Sequence, residues 1–350
     1  MKADCIRQCV GVDMSKNDFS VCFVKYTTEG KTIIKGTKKF LNTTAGFNQF
    51  IKWTDKKSTS DLQTRVVVEA TGCYHETFAY FIRENTDYYL SVELPTKTKA
   101  FAKSLNVKTK TDKSDAKVLA QIGVERLLRE WKPMSPQLLT LRQLNRHKER
   151  LQENKNVVFS QLHAHLHSYR PNKKVTAQLK SMLRVFDNQI KVITDLIKDT
   201  VALDEELQSR IDKVCKIKGI RLPTAAAIIA ETGGFALFTS RAQLISYAGY
   251  DVVERDSGTS VRGKTRISKK GNRHIRRALY LPAMTASRYE PCCIALSERI
   301  KERTKIPMKA NVAVQRKLLV LIYTIFKNNV EFDSHYQQRK TNENKEPQKV

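Results

Sequence analysis

The spacing of apolar positions changes twice along the chain, and each change predicts a different kind of structure. Residues 9–24, CVGVDMSKNDFSVCFV, alternate β-branched and aromatic positions around a Ser-Lys-Asn-Asp break, which predicts strand, short turn and strand. The runs RVVVEA (65–70) and YLSVEL (89–94) predict two further strands. Helical spacing appears between them, over residues 47–53 and 75–83. The first third is therefore expected to be an α/β layer whose strands carry acidic residues at their ends.

Beyond Trp131 the strand signal stops. Leu138, Leu141, Leu144, Leu151, Val158, Leu162 and Leu166 form one helical stripe. Leu179, Leu183, Ile190, Ile193, Leu196 and Ile197 form a second, after a break at Arg170-Pro171-Asn172. Two long antiparallel helices, a coiled-coil arm, fit this pattern, and so does an ordinary helical bundle because the heptads are imperfect. From Val214 the pattern predicts a compact helical region, a turn-rich basic segment and a last apolar helix over residues 312–326. The polar tail from Gln337 has no periodicity and is expected to be disordered.

Composition narrows the partners. Of 350 residues, 63 are Lys or Arg and 35 are Asp or Glu, so the formal charge is +28, and a polyanion is the natural counterpart. No apolar run approaches the roughly 20 residues that span a bilayer, and no secretory signal is visible, so a soluble cytoplasmic protein with no membrane partner is expected. The seven cysteines are scattered without C-x-x-C spacing, which predicts reduced, structural thiols. His163, His165 and His167 are spaced by two on a helix, which argues against a shared metal.

Asp13 and Glu69 stand at the ends of apolar strands, where a sheet delivers side chains to one edge. Asp112 and Asp115 lie in KTDKSDAKVLA, three apart, on one face of a predicted helix. Four converging carboxylates require cations, and hard oxygen donors suit Mg²⁺ or Mn²⁺. Each acid also has an ordinary alternative: Asp13 as a turn cap, Glu69 as a partner of a lysine, Asp112 as a helix N-cap. Seven lysines between positions 97 and 117 surround the second pair, and Lys108, Lys110 and Lys113 are the nearest phosphate-binding candidates.

Ser257 occupies a turn-forming Asp256-Ser257-Gly258 and opens a stretch without an acid up to Tyr289. Half of the sixteen positions from 262 to 277 are basic: Arg262, Lys264, Arg266, Lys269, Lys270, Arg273, Arg276 and Arg277. Such a segment would hold a phosphate close to the serine hydroxyl. Taken by its chemistry alone, Ser257 can equally be turn material.

In order and spacing, GVDMSK, VEATGCYHETFAYFI and KTDKSDAKVLA resemble the RuvC-like domain of DEDD-type insertion-sequence transposases, the group of pilin-gene invertases and bridge-RNA-guided recombinases. Further on, KIKGIRLPTAAAIIAETGGFALFTSRAQLISYAGY and RDSGTSVRGKTRISKKGNRHIRRALYLPAM are similar to that family's second, serine-bearing domain. The resemblance implies an α/β RNase H-like (RuvC-like) domain over 1–132, a helical coiled-coil arm over 133–212, a mainly α transposase domain over 213–330 and a disordered tail over 331–350. It further implies divalent metal at Asp13, Glu69, Asp112 and Asp115, and a nucleophile at Ser257. The implied partners are double-stranded DNA (element ends and target), a structured noncoding guide RNA and further copies of the chain in a dimer or tetramer. One departure stands out: where the family has Gly-Ile-Gly this chain has Gly219-Ile220-Arg221, so an arginine charge is expected to replace a close backbone approach to phosphate. The rival readings are a water-using DEDD nuclease, such as a junction resolvase, and a catalytically silent nucleic-acid-binding protein. An actin-like ATPase is disfavoured because the chain lacks glycine-rich phosphate loops.

Overall fold

Alternation along β1 (Cys5–Met14) sends Val10 and Val12 to one face of a sheet and Cys9 and Gly11 to the other, and the same split runs through β2 (Asp18–Thr27). The computed structural model describes residues 4–106, 111–254 and 265–334, together with the backbone of 256–257 and 261–262. It divides into two units, Met1–Pro133 and Met134–Val350.

In the first unit β1, β2 and β3 (Thr32–Leu41) form an antiparallel meander. The chain then passes through α1 (Thr44–Asp55) to β4 (Thr64–Glu69), which lies parallel to β1, and through α2 (Glu76–Asn85) to β5 (Tyr89–Glu93), parallel to β4. The sheet order is β3-β2-β1-β4-β5. Strand β3 went unpredicted because it is an edge: Ile33 and Ile34 are exposed, and its lysines guard an open ladder instead of alternating with buried positions. One face of the sheet is closed by an aromatic core centred on Phe19, whose ring lies 5.2 Å from Phe78 and 5.5 Å from Phe40. The other face is covered by α4 (Asp112–Glu125), which follows α3 (Pro95–Ser104).

The second unit opens with two long helices, α5 (Pro136–Leu166) and α6 (Lys173–Ala202). Asn172 caps α6 by accepting from the amides of Lys174 and Val175. Leu141, Ile197 and Val201 are buried in one core with the helices that follow, whereas Leu166 and Leu196 of the sequence stripes are exposed. Those helices are α7 (Glu205–Cys215), α8 (Leu222–Glu231), α9 (Arg241–Ala248), α10 (Arg273–Tyr289), α11 (Pro291–Thr304) and α12 (Pro307–Asn328). Between α9 and α10 the chain makes two short ladders. In one, β6 (Val252–Val253) pairs with β9 (Arg266–Ile267), and in the other β7 (Asp256–Ser257) pairs with β8 (Val261–Arg262). Within the expected tail, Phe332 packs on the core and Glu331 pairs with Lys216, while the residues from Gln337 lie outside those described. No described helix is long and apolar enough to cross a membrane.

Candidate active site

Two glycines fix how α4 lies on the sheet. A Cβ on Gly11 would stand 2.1 Å from the Ala116 carbonyl oxygen and 2.2 Å from the Ala120 nitrogen, and a Cβ on Gly123 would stand 2.2 Å from Cys9 Sγ. Backbone contact at Gly11 and the seating of the Cys9 side chain against Gly123 set a register in which advancing along β1 means retreating along α4. From Cys9 opposite Gly123, through Gly11 opposite Ala116 and Ala120, the next inward step on β1 is Asp13, and the next turn of α4 is its first, carrying Asp112 and Asp115. Arg7 and Arg65 lock the far end by donating to the carbonyls of Val124 (2.9 Å) and Gly123 (3.1 Å).

Glu69 joins the same edge. The parallel register Val12↔Val68 sets Asp13 beside Glu69, and both follow the alternation of Cys9 and Val67 toward α4. The backbone thus carries the four acids toward one end of the sheet. Among the described residues, no three His, Cys, Asp or Glu side chains are gathered into a group that could hold an ion. Carboxylate oxygens are the donor type that a hard divalent cation takes.

The turn after β1 and the start of α4 have caps of their own. The β1–β2 turn is closed by Ser15, whose Oγ donates to the Asp18 carboxylate at 2.9 Å. Helix α4 is capped by Thr111 in a reciprocal box with Ser114, which leaves Asp112 and Asp115 in the first turn, where the helix dipole favours them. Glu69 accepts hydroxyls from Thr98 on Oε2 and from Thr71 on Oε1 (3.4 Å).

Two residues of this edge were passed over in the sequence. Glu93 ends β5 directly beside Glu69 in the ladder, buried, with Lys97 at 3.0 Å. Its signal was present, an apolar run ending in an acid, as in RVVVE. Thr98, buried on α3, gave none, because its partner lies 29 positions away.

Ser257 lies at the far end of the double hairpin, paired with Val261, and Asp256 pairs with Arg262. Lys264, Lys108 and Lys110 lie outside the described residues. Lys113, Arg221, Arg266, Lys269, Lys270 and Arg273 are exposed. Arg221 is the N-cap residue of α8, with ordinary extended backbone, and Gly219 before it takes φ +101°. Arg276 and Arg277 are engaged inside their own unit. Arg276 donates to the Ala248 carbonyl at 2.7 Å, and Arg277 pairs with Glu149 (3.2 Å) and with Glu153. The sequence joined them to the basic surface because the carbonyl that holds Arg276 lies 28 positions away and the Glu153 that pairs with Arg277 lies 124 positions away. His163 and His167 stack with ring centroids 4.3 Å apart, and His167 bonds the His163 carbonyl.

A transposase model named for the DEDD motif and IS110 matches residues 10–171, and a model of the IS116/IS110/IS902 transposase family matches residues 212–298. The chain belongs to the IS110 family of insertion-sequence transposases. It is 28% identical over 330 residues to the pilin gene-inverting protein of Moraxella bovis, covering 93% of this chain and 97% of that one. To an uncharacterised 43.6 kDa protein of insertion element IS110 from Streptomyces coelicolor it is 27% identical over 116 residues, a third of this chain and 28% of that one. A solved Ppx/GppA family structure from Aquifex aeolicus aligns over 91% of this chain and 90% of that one at 9% identity, with a TM-score of 0.23, which carries no argument.

Proposed function

We propose that this transposase cuts and rejoins DNA through Ser257, assisted by Mg²⁺ or Mn²⁺ bound at Asp13, Glu69, Asp112 and Asp115. The observation that supports the reading is the close approach of α4 to β1 at Gly11, which runs the helix toward the strand ends with Asp112 and Asp115 in its first turn. A divalent cation bound there would neutralise charge on a phosphate and polarise its oxygens. In cleavage the Ser257 Oγ forms a bond to phosphorus as the bond from phosphorus to a deoxyribose oxygen breaks, the serine proton passes to solvent or a base, and the leaving oxygen takes up a proton to become a hydroxyl. Attack by a second DNA hydroxyl on the phosphoserine reverses the step and joins new strands. The exposed Arg266, Lys269, Lys270 and Arg273 flank the hairpin and supply phosphate contacts.

The sheet order β3-β2-β1-β4-β5, with three antiparallel strands followed by two parallel ones, supports an RNase H-like reading of the first unit. The Moraxella relative is named for inverting a pilin gene, and by likeness we assign this chain rearrangement of a DNA segment, in a dimer or tetramer guided by a structured noncoding RNA. The test is a nicked DNA substrate that traps covalent intermediates. The wild-type chain is expected to give a protein-linked strand whose linked peptide contains Ser257, and Ser257→Ala to give none. Full cleavage by Ser257→Ala would instead identify a water-using nuclease.

A further inference from the structure

Glu231, at the end of α8, is an acid with 2% of its side chain exposed in a protein of excess positive charge. Arg146 of α5 grips it with two prongs, Nε to Oε1 at 2.7 Å and Nη2 to Oε2 at 2.9 Å. Asn272 donates to Oε2 at 2.6 Å, and the Tyr247 hydroxyl donates to the Glu231 backbone carbonyl at 3.0 Å. A charge this deeply buried is costly unless paired in this manner.

The partners of Glu231 are also the feet of the Ser257 hairpin. Tyr247 belongs to α9, which leads into the hairpin, and Asn272 is the N-cap of α10, which leads out. The Asn272 amide donates to the Tyr247 carbonyl at 2.7 Å, and Ser268 and Lys269 donate to the carbonyls of Asp251 and Gly249. The crossing is too tight for side chains: a Cβ on Gly271 would lie 2.4 Å from the Tyr247 carbonyl oxygen. In the first turn of α10, His274 bonds Glu149 of α5, which also pairs with Arg277.

We propose that Glu231, Arg146, Asn272 and Tyr247 are positioning residues that tie the base of the Ser257 hairpin to the long helix α5, so that the orientation of the helical arm sets where the hairpin points. This rests on the proposed role of Ser257 only for its effect on cleavage. The mechanical coupling stands without it.

The test uses the full-length chain with Arg146→Ala, and Arg146→Lys, which keeps the charge but loses the two-pronged geometry, should Arg146→Ala fail to fold. Amide hydrogen exchange is expected to quicken about tenfold or more at Ser268, Lys269 and Asn272, while α7 and α12 keep wild-type protection. Covalent DNA cleavage is expected to lose about tenfold in kcat with unchanged DNA affinity, since a nucleophile displaced by a fraction of an ångström fails in the reaction and not in binding. Uniform loss of protection across the unit, or unchanged exchange at the hairpin base, would overturn the proposal. Faster exchange at the base together with Ser257→Ala cleaving at full rate would leave the coupling in place and remove the serine chemistry instead.

Discussion

The acid edge of the first unit and the serine hairpin of the second are built on opposite plans. Asp13 and Glu69 ride on neighbouring parallel strands inside a five-stranded sheet, and α4 is seated over them by glycine contacts that leave no room for adjustment. Ser257 lies in a two-residue ladder that follows another two-residue ladder along the chain, and among the described residues the base of that hairpin is held by a polar cluster around the buried Glu231. The rigid plan suits ligands that must hold a fixed geometry. The stalked plan suits the nucleophile proposed at Ser257, with its direction set from the hairpin base as inferred above.

The contrast can be broken most forcefully at Gly11. Gly11→Ala pushes a methyl group into the backbone of α4, and we expect a loss of at least about 3 kcal/mol in the first unit by denaturant unfolding, with unfolding of the second unit unchanged. A fully tolerated alanine would mean that the helix can slide and that the edge is not rigid. A gentler change at the same edge is Thr98→Val, which keeps the shape but removes the hydroxyl bonded to Glu69. The expected cost is about 1.5 kcal/mol in divalent-ion affinity, read by titration calorimetry, with little change in Tm. Unchanged affinity would show that Thr98 does not orient the carboxylate.

Acid sharpens the comparison on the hairpin side. Burial alone would raise the Glu231 carboxyl, but the Arg146 guanidinium and the Asn272 amide, with His274 on α10 adding to them, hold it below its ordinary value of 4.5. A depressed folded value means that its stabilisation is fully present above pH 4.5 and is lost as pH falls through the lower folded value. The Tm gap between wild type and Glu231→Gln should therefore be constant near neutrality and close below that pH. A gap that widens on acidification would refute the assignment.

What the sequence disclosed follows the same division. The strand-end positions of Asp13 and Glu69 were legible because a buried strand ending in an acid is a local pattern, and the helical positions of Asp112 and Asp115 because a helical period is one too. Glu93 obeys the same rule and was legible in principle. Strand β3 was not, since an exposed edge has no alternation to read. Nor were the short ladders β6 to β9, whose pairing depends on Gly249 and Gly271 crossing, or the pairing of Arg277 with Glu149, which only the folding of α10 against α5 creates. The basic segment read as one surface in the sequence. In the fold Arg276 is held by the Ala248 carbonyl and the exposed Arg277 by two acids of α5, and the exposed positions before them remain for phosphate.

The central claim is that the acid edge holds a divalent cation, and the direct measurement is Mn²⁺ binding to the full-length chain followed by electron paramagnetic resonance. Wild type is expected to bind Mn²⁺ in competition with Mg²⁺, and Asp13→Asn to lose that binding while keeping its fold by circular dichroism. Equal Mn²⁺ binding by wild type and Asp13→Asn would contradict the account.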